Sequence, residues 1–342
     1  MPKRATSRDV AKAAGVSRTT VSLVLNNVPG IRISDATRER VGETAKRLNY
    51  HPDITGRKLA SGKSFTFGLV LRQSPEQIFA DAFLLQVILG VEHAAEQEGF
   101  RVLLKPLEPE NPLGYGGLIH ENHVDGIILS GPRHDDVEII RIYQEGFPVV
   151  MMGQLPGQEI PFADIDAVNG AKTATRHLIE QGHTRIAMIT NAPLEYTSAR
   201  QRLDGYQQAL TEAGIQPDPS LFRQGSFTPA SGYEAMTDLL TVSPRPTAIF
   251  VSSDVVAMGA MQAIKRAGLN IPADIAVVGF DDVPLAEYYE PPLTTIRLPA
   301  YGLGWSAGER LSRLVQGDTL DQTGVLLDTE LIVRNSSVKI SR

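Results

Sequence analysis

The chain has 342 residues, a formal net charge of −6 and a hydrophobic content of 42%, the profile of a globular protein of more than one domain. It contains no cysteine, which excludes a disulfide framework, a thiolate metal site and a thiol nucleophile. No apolar run is long enough to span a bilayer and the opening MPKRATSRDV lacks the apolar stretch of a signal peptide, so cytoplasmic residence is the expectation.

The charge is divided unevenly. The first 64 residues carry 13 Lys and Arg against 5 Asp and Glu, a net of +8, which leaves the remainder at −14. A basic head supplies the counterion-release drive for binding a phosphate backbone, and an acidic body is repelled by one.

Within that head, RDVAKAAGVSRTTVSLVLNN (8–27) predicts two short helices with a tight corner. Thr6 caps the first, with Asp9 as its reciprocal partner, and Val10, Ala11 and Ala14 line its inner face. Gly15 permits the turn. Ser17 caps the second helix, whose inward stripe is Val21, Val24 and Leu25. Together these features predict a helix-turn-helix. Its outward positions are Arg18, Thr19, Ser22 and Leu23; Arg18 suits guanine O6 and N7, whereas Leu23 offers only apolar contact, for example with a thymine methyl. A third helix, SDATRERVGETAKRLNY, starts at Ser34 and is stopped by Pro52. It puts Val41, Ala45 and Leu48 on one face and offers Arg38, Arg40, Lys46 and Arg47 to phosphates. Next comes DITGRKLASGKS, a polar, basic segment with one conspicuous apolar residue, Leu59. It reads either as a linker or as a hinge helix that inserts Leu59 between base steps in the minor groove.

From residue 65 apolar strands alternate with amphipathic helices. FTFGLVL is a strand, AFLLQVILGVEHAAEQEG a helix ended by Gly99, FRVLLKPL and VDGIILSG strands, DDVEIIRIYQEG a helix and FPVVMM a strand. The rhythm resumes through AKTATRHLIEQGH, TRIAMIT, RQRLDGYQQALTEAG, GYEAMTDLL, TAIFVSSD, AMGAMQAIKRAG and IAVVGFDD. Fully apolar strands separated by helices predict parallel sheets covered on both faces, and some ten units exceed one sheet, so two α/β lobes are expected. Ligands in such sheets sit beyond the carboxyl ends of the strands. The candidates are therefore Arg72 and Gln73, Ser130, Gly153 and Gln154, Asn191, Ser252 to Asp254, and Asp281 with Asp282. Ser252, Ser253 and Asp254 are equally placed to cap the helix that follows. Carboxylate, hydroxyl and amide groups suit a polyhydroxylated ligand, with Phe83 or Phe227 packing on its apolar face.

Little points to catalysis. No Walker A sequence and no G-x-S-x-G elbow is present. HENH (120–123) has the wrong spacing for a zinc helix and reads as a solvated helix end, and GYGG (114–117) does not follow a strand. Asp164 with Asp166, or Asp281 with Asp282, are conceivable acid/base pairs, but adjacent residues on a strand point to opposite faces, which counts against the second pair. His183 reads as a helix-end turn residue.

The order Asp9-Val10-Ala11, Gly15-Val16-Ser17, Thr20-Val21-Ser22 and Val24-Leu25-Asn26, then LNYHP and LASGKS, resembles the LacI/GalR family of bacterial transcriptional regulators, over essentially the whole chain. The resemblance implies a small all-α headpiece (1–52), a hinge (53–64) and a two-lobed, periplasmic-binding-protein-like α/β effector and dimerisation domain (65–342). Its N-lobe spans about 65–165 and 298–327 and its C-lobe about 166–297 and 328–342, with crossings near 165, 295 and 327 allowing closure about a hinge. It implies a DNA-binding set of Thr6, Ser17, Arg18, Thr19, Thr20, Ser22, Leu23, Asn26, Tyr50 and Leu59, with Leu59 the minor-groove wedge. The effector set is Arg72, Phe83, Gln154, Arg202 in SARQRLDGY, Phe227, Ser253 and Asp281 in VVGFDD. Four positions depart from the family pattern: Leu23 where Arg is usual, Asp53 where Asn is, Ser253 where many members have Asn, and Leu298 where a polar residue is frequent.

What the resemblance implies for function is a homodimeric repressor of carbohydrate-utilisation genes. It binds a pseudo-palindromic operator and is released by a mono- or disaccharide, without a cofactor or metal. The alternatives are a regulator with a non-sugar corepressor such as a purine, and a sugar-processing enzyme with a DNA-binding head, for which no catalytic motif is visible. The C-terminal ELIVRNSSVKISR carries no leucine heptad, so a dimer is expected.

Overall fold

The computed structural model describes residues 5–25, 32–50, 63–107, 116–121 and 123–338, and the chain divides into two units, 1–65 and 66–342. Asn26, Asp53 and Leu59, and with them most of the expected hinge, lie outside the described residues.

The headpiece holds α1 (Ser7–Ala14), α2 (Arg18–Leu25) and α3 (Asp35–Arg47). Thr6 and Asp9 form the expected capping box: the Thr6 amide donates to Asp9 Oδ2 at 2.8 Å and the Asp9 amide to Thr6 Oγ1 at 3.4 Å. Gly15 takes the left-handed corner at φ 67°, and Ser17 Oγ accepts the Thr20 amide at 3.0 Å. Val10, Ala11, Ala14, Val21, Val41 and Ala45 make one small core. Two details differ from expectation. The Ser34 hydroxyl makes no cap bond and donates to Thr37 Oγ1 at 3.0 Å instead. The third helix ends at Arg47, well before Pro52, because Asn49 turns left-handed at φ 47°.

The body is built on two six-stranded sheets. The first contains β1 (Thr66–Leu71), β2 (Arg101–Pro106), β3 (Gly126–Ser130), β4 (Val149–Met152), β5 (Phe162–Ile165) and β11 (Gly324–Leu327), in the order β11-β5-β4-β3-β1-β2. The second contains β6 (Ile186–Ile189), β7 (Phe222–Arg223), β8 (Ala248–Val251), β9 (Ala276–Asp281), β10 (Thr294–Arg297) and β12 (Glu330–Ile332), in the order β12-β10-β9-β8-β6-β7. The sheets are parallel, as expected, in every pairing except the edge pair β10 with β12, which is antiparallel. The cause is the side of entry. β11 ends at the cleft side of the first sheet and only two residues later β12 enters the second sheet from that same side, so it runs opposite to β10, whose carboxyl end points there.

Helices α4 (Pro75–Ala80), α5 (Ala82–Gln97), α6 (Gly116–His120) and α7 (Val137–Gln144) belong to the first lobe, and α8 (Ala167–Glu180), α9 (Thr197–Glu212), α10 (Pro229–Leu239) and α11 (Asp254–Arg266) to the second. The chain then returns: α12 (Ala300–Gln316), an element absent from the sequence reading, follows β10 yet packs on α5 and on β3, β4 and β5 of the first sheet. Its approach to α5 is close enough that a Cβ added at Gly304 would lie 2.0 Å from the Val87 carbonyl oxygen, and one at Gly90 2.1 Å from that of Tyr301. The chain thus passes between lobes after Ile165, after Arg297 and after Leu327. Each sheet has its own apolar core, around Ile127, Leu129, Val149 and Met151 in the first and Ile249, Val251, Val277 and Met236 in the second.

Candidate functional site

On the headpiece, Arg18, Thr19 and Ser22 stand exposed along one side of α2 and Leu23 is half-buried. Arg18 Nε donates to Ser7 Oγ at 3.3 Å, and the Thr20 hydroxyl shares a hydrogen bond with Ser17 Oγ at 2.9 Å. Both are surface contacts of the kind readily exchanged for an outside partner. Thr6 and Ser17 are exposed at the helix starts, and Tyr50 rests half-buried against the headpiece core. Of the four basic residues offered to phosphates, Arg40 is engaged at home: its Nε donates to the Ala14 carbonyl at 3.0 Å, tying α3 to the corner.

In the body, the carboxyl ends of both sets of strands open on a single cleft between the lobes, the place where ligands of such sheets sit. The residues that follow the strands reach it as the topology demands. Arg72 and Gln73 after β1, Ser130 at the end of β3, Gly153 after β4, Asn191 after β6, Ser253 after β8 and Asp281 at the end of β9 all line it. Phe83 and Phe227 flank it, and Tyr196 sets its ring edge-on to Phe227 with centroids 5.2 Å apart. At the rim the two lobes bond directly: the Tyr196 hydroxyl donates to the Arg72 carbonyl at 3.0 Å, and the Thr197 amide to that of Pro132 at 3.1 Å.

The polar centre is Arg202, buried on α9. Its Nη1 donates to the Ser252 carbonyl at 2.5 Å, its guanidinium lies 4.1 Å from the centroid of the Phe280 ring, and Nη2 is 4.0 Å from Asp281 Oδ1. Its Nε has no hydrogen-bond partner among the described residues. Around it stand three buried carboxylates, Asp81, Asp164 and Asp281. Burial pushes Asp81 up to about 6, against backbone hydrogen bonds from Phe83 and Leu84 and the charge of Arg202. Burial also raises Asp164, opposed mainly by the hydrogen bond from Gln154. It raises Asp281 strongly, opposed first by Arg202, and it lowers Arg202 itself. Desolvation disfavours each charged form. A guanidinium edge, several carboxylate lone pairs and amide groups beside aromatic rings form a surface complementary to a ligand with many hydroxyls and an apolar face.

Six of the seven effector residues expected from sequence line this cleft: Arg72, Phe83, Arg202, Phe227, Ser253 and Asp281. Gln154 does not; its amide donates to Asp164 Oδ2 at 3.0 Å and so stands behind the lining. Arg72 lines it while ion-paired to Asp136 at 2.6 Å. Ser252, Asp254 and Asp282 also turn away from the lining. Ser253 is the first residue before α11 but makes no side-chain cap bond. Asp254, raised by burial to about 7, accepts the Val283 amide at 3.0 Å and the Thr295 hydroxyl at 2.6 Å. Leu298, expected to contribute less than a polar residue, lines the cleft as an apolar wall. Sequence reasoning missed Asp81 and Tyr196 and weighed Asp164 only as half of an acid/base pair. Asp164 sits one residue before a strand end and was within reach of the strand-end rule; Asp81 and Tyr196 precede helices and carry no such local signal.

Among the described residues no helix is long and apolar enough to cross a membrane, and no group of three or more His, Asp or Glu side chains is placed to hold a metal ion. Residues 6–53 match the family described as bacterial regulatory proteins, lacI family, and residues 175–337 the periplasmic binding protein-like domain. The HTH-type transcriptional regulator CelR of Thermobifida fusca is 36% identical over 341 residues, 98% of each chain. A solved transcriptional regulator CelR–cellobiose complex superposes with a TM-score of 0.76 at 35% identity, covering 97% of this chain and all of that one. The lac repressor dimer bound to operator and the anti-inducer ONPF superposes with a TM-score of 0.84 at 31% identity, covering 98% and 100%. With its helix-turn-helix, its two-lobed body and a cleft at the strand ends, the chain belongs to the LacI family of bacterial transcriptional regulators.

Proposed function

We propose that this protein is a sugar-responsive transcriptional repressor of the bacterial cytoplasm. It binds a pseudo-palindromic operator as a homodimer and takes a mono- or disaccharide between the lobes of its body. The observation that carries the reading is the cleft, where Arg202, Asp281 and Ser253 converge from three different strand ends and helices beside Phe227. The solved CelR complex holds cellobiose, which makes a glucose disaccharide the first ligand to test. Arg202 donates to ligand hydroxyls, Asp281 and Ser253 accept from them, and Phe83 and Phe227 pack on the ring faces. The headpiece reads bases through Arg18, Thr19, Ser22 and Leu23, supported by Thr6, Ser17, Thr20, Asn26 and Tyr50, and Leu59 wedges the minor groove. Because one conformational equilibrium serves both sites, sugar and operator alter each other's affinity by the same factor. It acts by binding, with no catalytic step.

The test is a thermal-shift series on the full chain with cellobiose, other mono- and disaccharides, and purines. A ligand that binds the native state raises the melting temperature by mass action. Cellobiose or another sugar is expected to do so, and Asp281→Asn to remove the effect while operator selected from random DNA is still bound. Stabilisation by purines alone overturns the sugar reading and leaves the regulator.

A further inference from the structure

The turn that delivers Asp281 to the cleft is unusual. Asp281 has φ 122° and Asp282 φ 52°, two successive non-glycine residues in backbone that L side chains rarely adopt and that surrounding structure must hold. The holding contacts come from both sides. On one side buried Asp254 accepts the Val283 amide and the Thr295 hydroxyl. On the other, the Asp282 side chain, only 6% exposed, accepts Arg297 Nε on Oδ2 at 2.7 Å, and its Oδ1 lies 2.8 Å from Arg334 Nη2 as an ion pair without hydrogen-bond geometry.

Those two arginines mark places where the chain changes lobes. Arg297 is the last residue of β10, directly before the passage to α12, and lies in register beside Asp281 on β9 and Glu330 on β12. It also meets Glu330 Oε2 at 3.2 Å, and the Leu298 amide after it donates to the Asp281 carbonyl at 3.3 Å. Arg334 follows β12, just after the chain has come back from β11. Its Nη1 donates to the Leu293 carbonyl at 2.8 Å and its amide to Thr294 Oγ1 at 2.8 Å. Both partners are therefore anchored to the sheet, and the carboxylate between them is held from two directions.

We infer that Asp282 is a positioning residue for the effector: by pairing with Arg297 and Arg334 at two lobe crossings, it keeps the Asp281 carboxylate turned into the cleft. The inference rests on the proposed role of Asp281. Asp282 itself stands outside the cleft lining. The charge-assisted hydrogen bond from Arg297 fixes geometry as well as energy, with the Arg334 charge adding attraction from the other side, and a small misplacement of a ligand-contacting group is costly to its function. The pairs also link any shift of Asp281 to the segments about which the lobes close.

The variant that isolates the pairing is Asp282→Asn, because Asn tolerates left-handed backbone as Asp does while losing the charge and one of the two oxygens that face the arginines. Titration calorimetry of the full chain with cellobiose is expected to show Kd raised at least tenfold, with one site per chain and unchanged affinity for selected operator DNA. Combining it with Arg297→Gln should raise Kd by less than the product of the two single effects, the mark of a shared interaction. An unchanged Kd overturns the inference. So does a loss of sites or of operator affinity at constant Kd, which marks a role in folding alone. If the unaltered chain does not bind cellobiose, the disaccharide reading has failed, and amide exchange without ligand decides the positioning role. Exchange in residues 279–284 that is at least tenfold faster in Asp282→Asn upholds it; exchange at the original rate overturns it.

Discussion

Asp81 offers a perturbation whose size follows from the structure. It caps α5, accepting the Phe83 amide at 3.0 Å, and it faces the cleft buried, with its carboxyl raised from the ordinary 3.8 to about 6. In the unfolded chain it ionises near 3.8, in the folded chain near 6. Between those values only the unfolded chain releases the proton, so stability falls as pH rises through that window and the full cost is present above it. Two units at about 1.4 kcal/mol each amount to about 3 kcal/mol. Asn caps a helix as well as Asp does and has no charge to bury. Asp81→Asn is therefore expected to stabilise the body by about 3 kcal/mol at pH 8 and about half of that at pH 5. Urea unfolding of the full chain at the two pH values, following the body's transition at constant m-value, measures the difference. An equal gain at both values, or a loss at pH 8, refutes the reasoning, because only the titration of a desolvated carboxyl makes the effect grow with pH. A carboxylate kept ionised at that cost is one that hydroxyl donors from a ligand would relieve.

Other outcomes follow from single contacts. Gly304→Ala puts a Cβ 2.0 Å from the Val87 carbonyl oxygen; helix backbones rather than a side-chain end must yield, and a loss of about 1–3 kcal/mol in urea unfolding is expected. Thr6→Ala removes one half of the capping box on α1, with about 1 kcal/mol lost, read as faster amide exchange confined to the headpiece and weaker operator binding in a gel-shift titration. Leu59→Ala is expected to weaken operator binding and leave sugar binding as it was; equal operator affinity would dismiss the wedge.

Legibility followed the range of the interactions involved. The caps, the corner glycine and the inward stripe of the headpiece all act within four residues, so the helix-turn-helix could be read directly from residues 6–25. The rule that ligands gather beyond strand ends needs only the strands themselves, and it reached Arg72, Asn191, Ser253 and Asp281 without knowledge of how the sheets meet. The rule fails for Gln154, where a hydrogen bond to a neighbouring strand, ten positions along, turns the side chain away. It is silent on Asp81 and Tyr196, which the packing of the lobes brings to the cleft.

From its sequence alone the chain determines a basic reading head, an acidic α/β body and the residue types offered at each strand end, because charge, capping and periodicity are local properties. The tertiary structure decides how those offers are used. It sends α12 back across to the first lobe, where bare glycine faces let two helix backbones meet, and it reverses β12 because the short connection from β11 brings the chain into the second sheet from the cleft side. It also separates the two adjacent aspartates. Asp281 goes to the cleft beside Arg202, and Asp282 to Arg297 and Arg334, since a pair of positive-φ residues held by distant partners sets their directions. No local pattern encodes that division; it exists only once three strands and a returning chain end lie side by side.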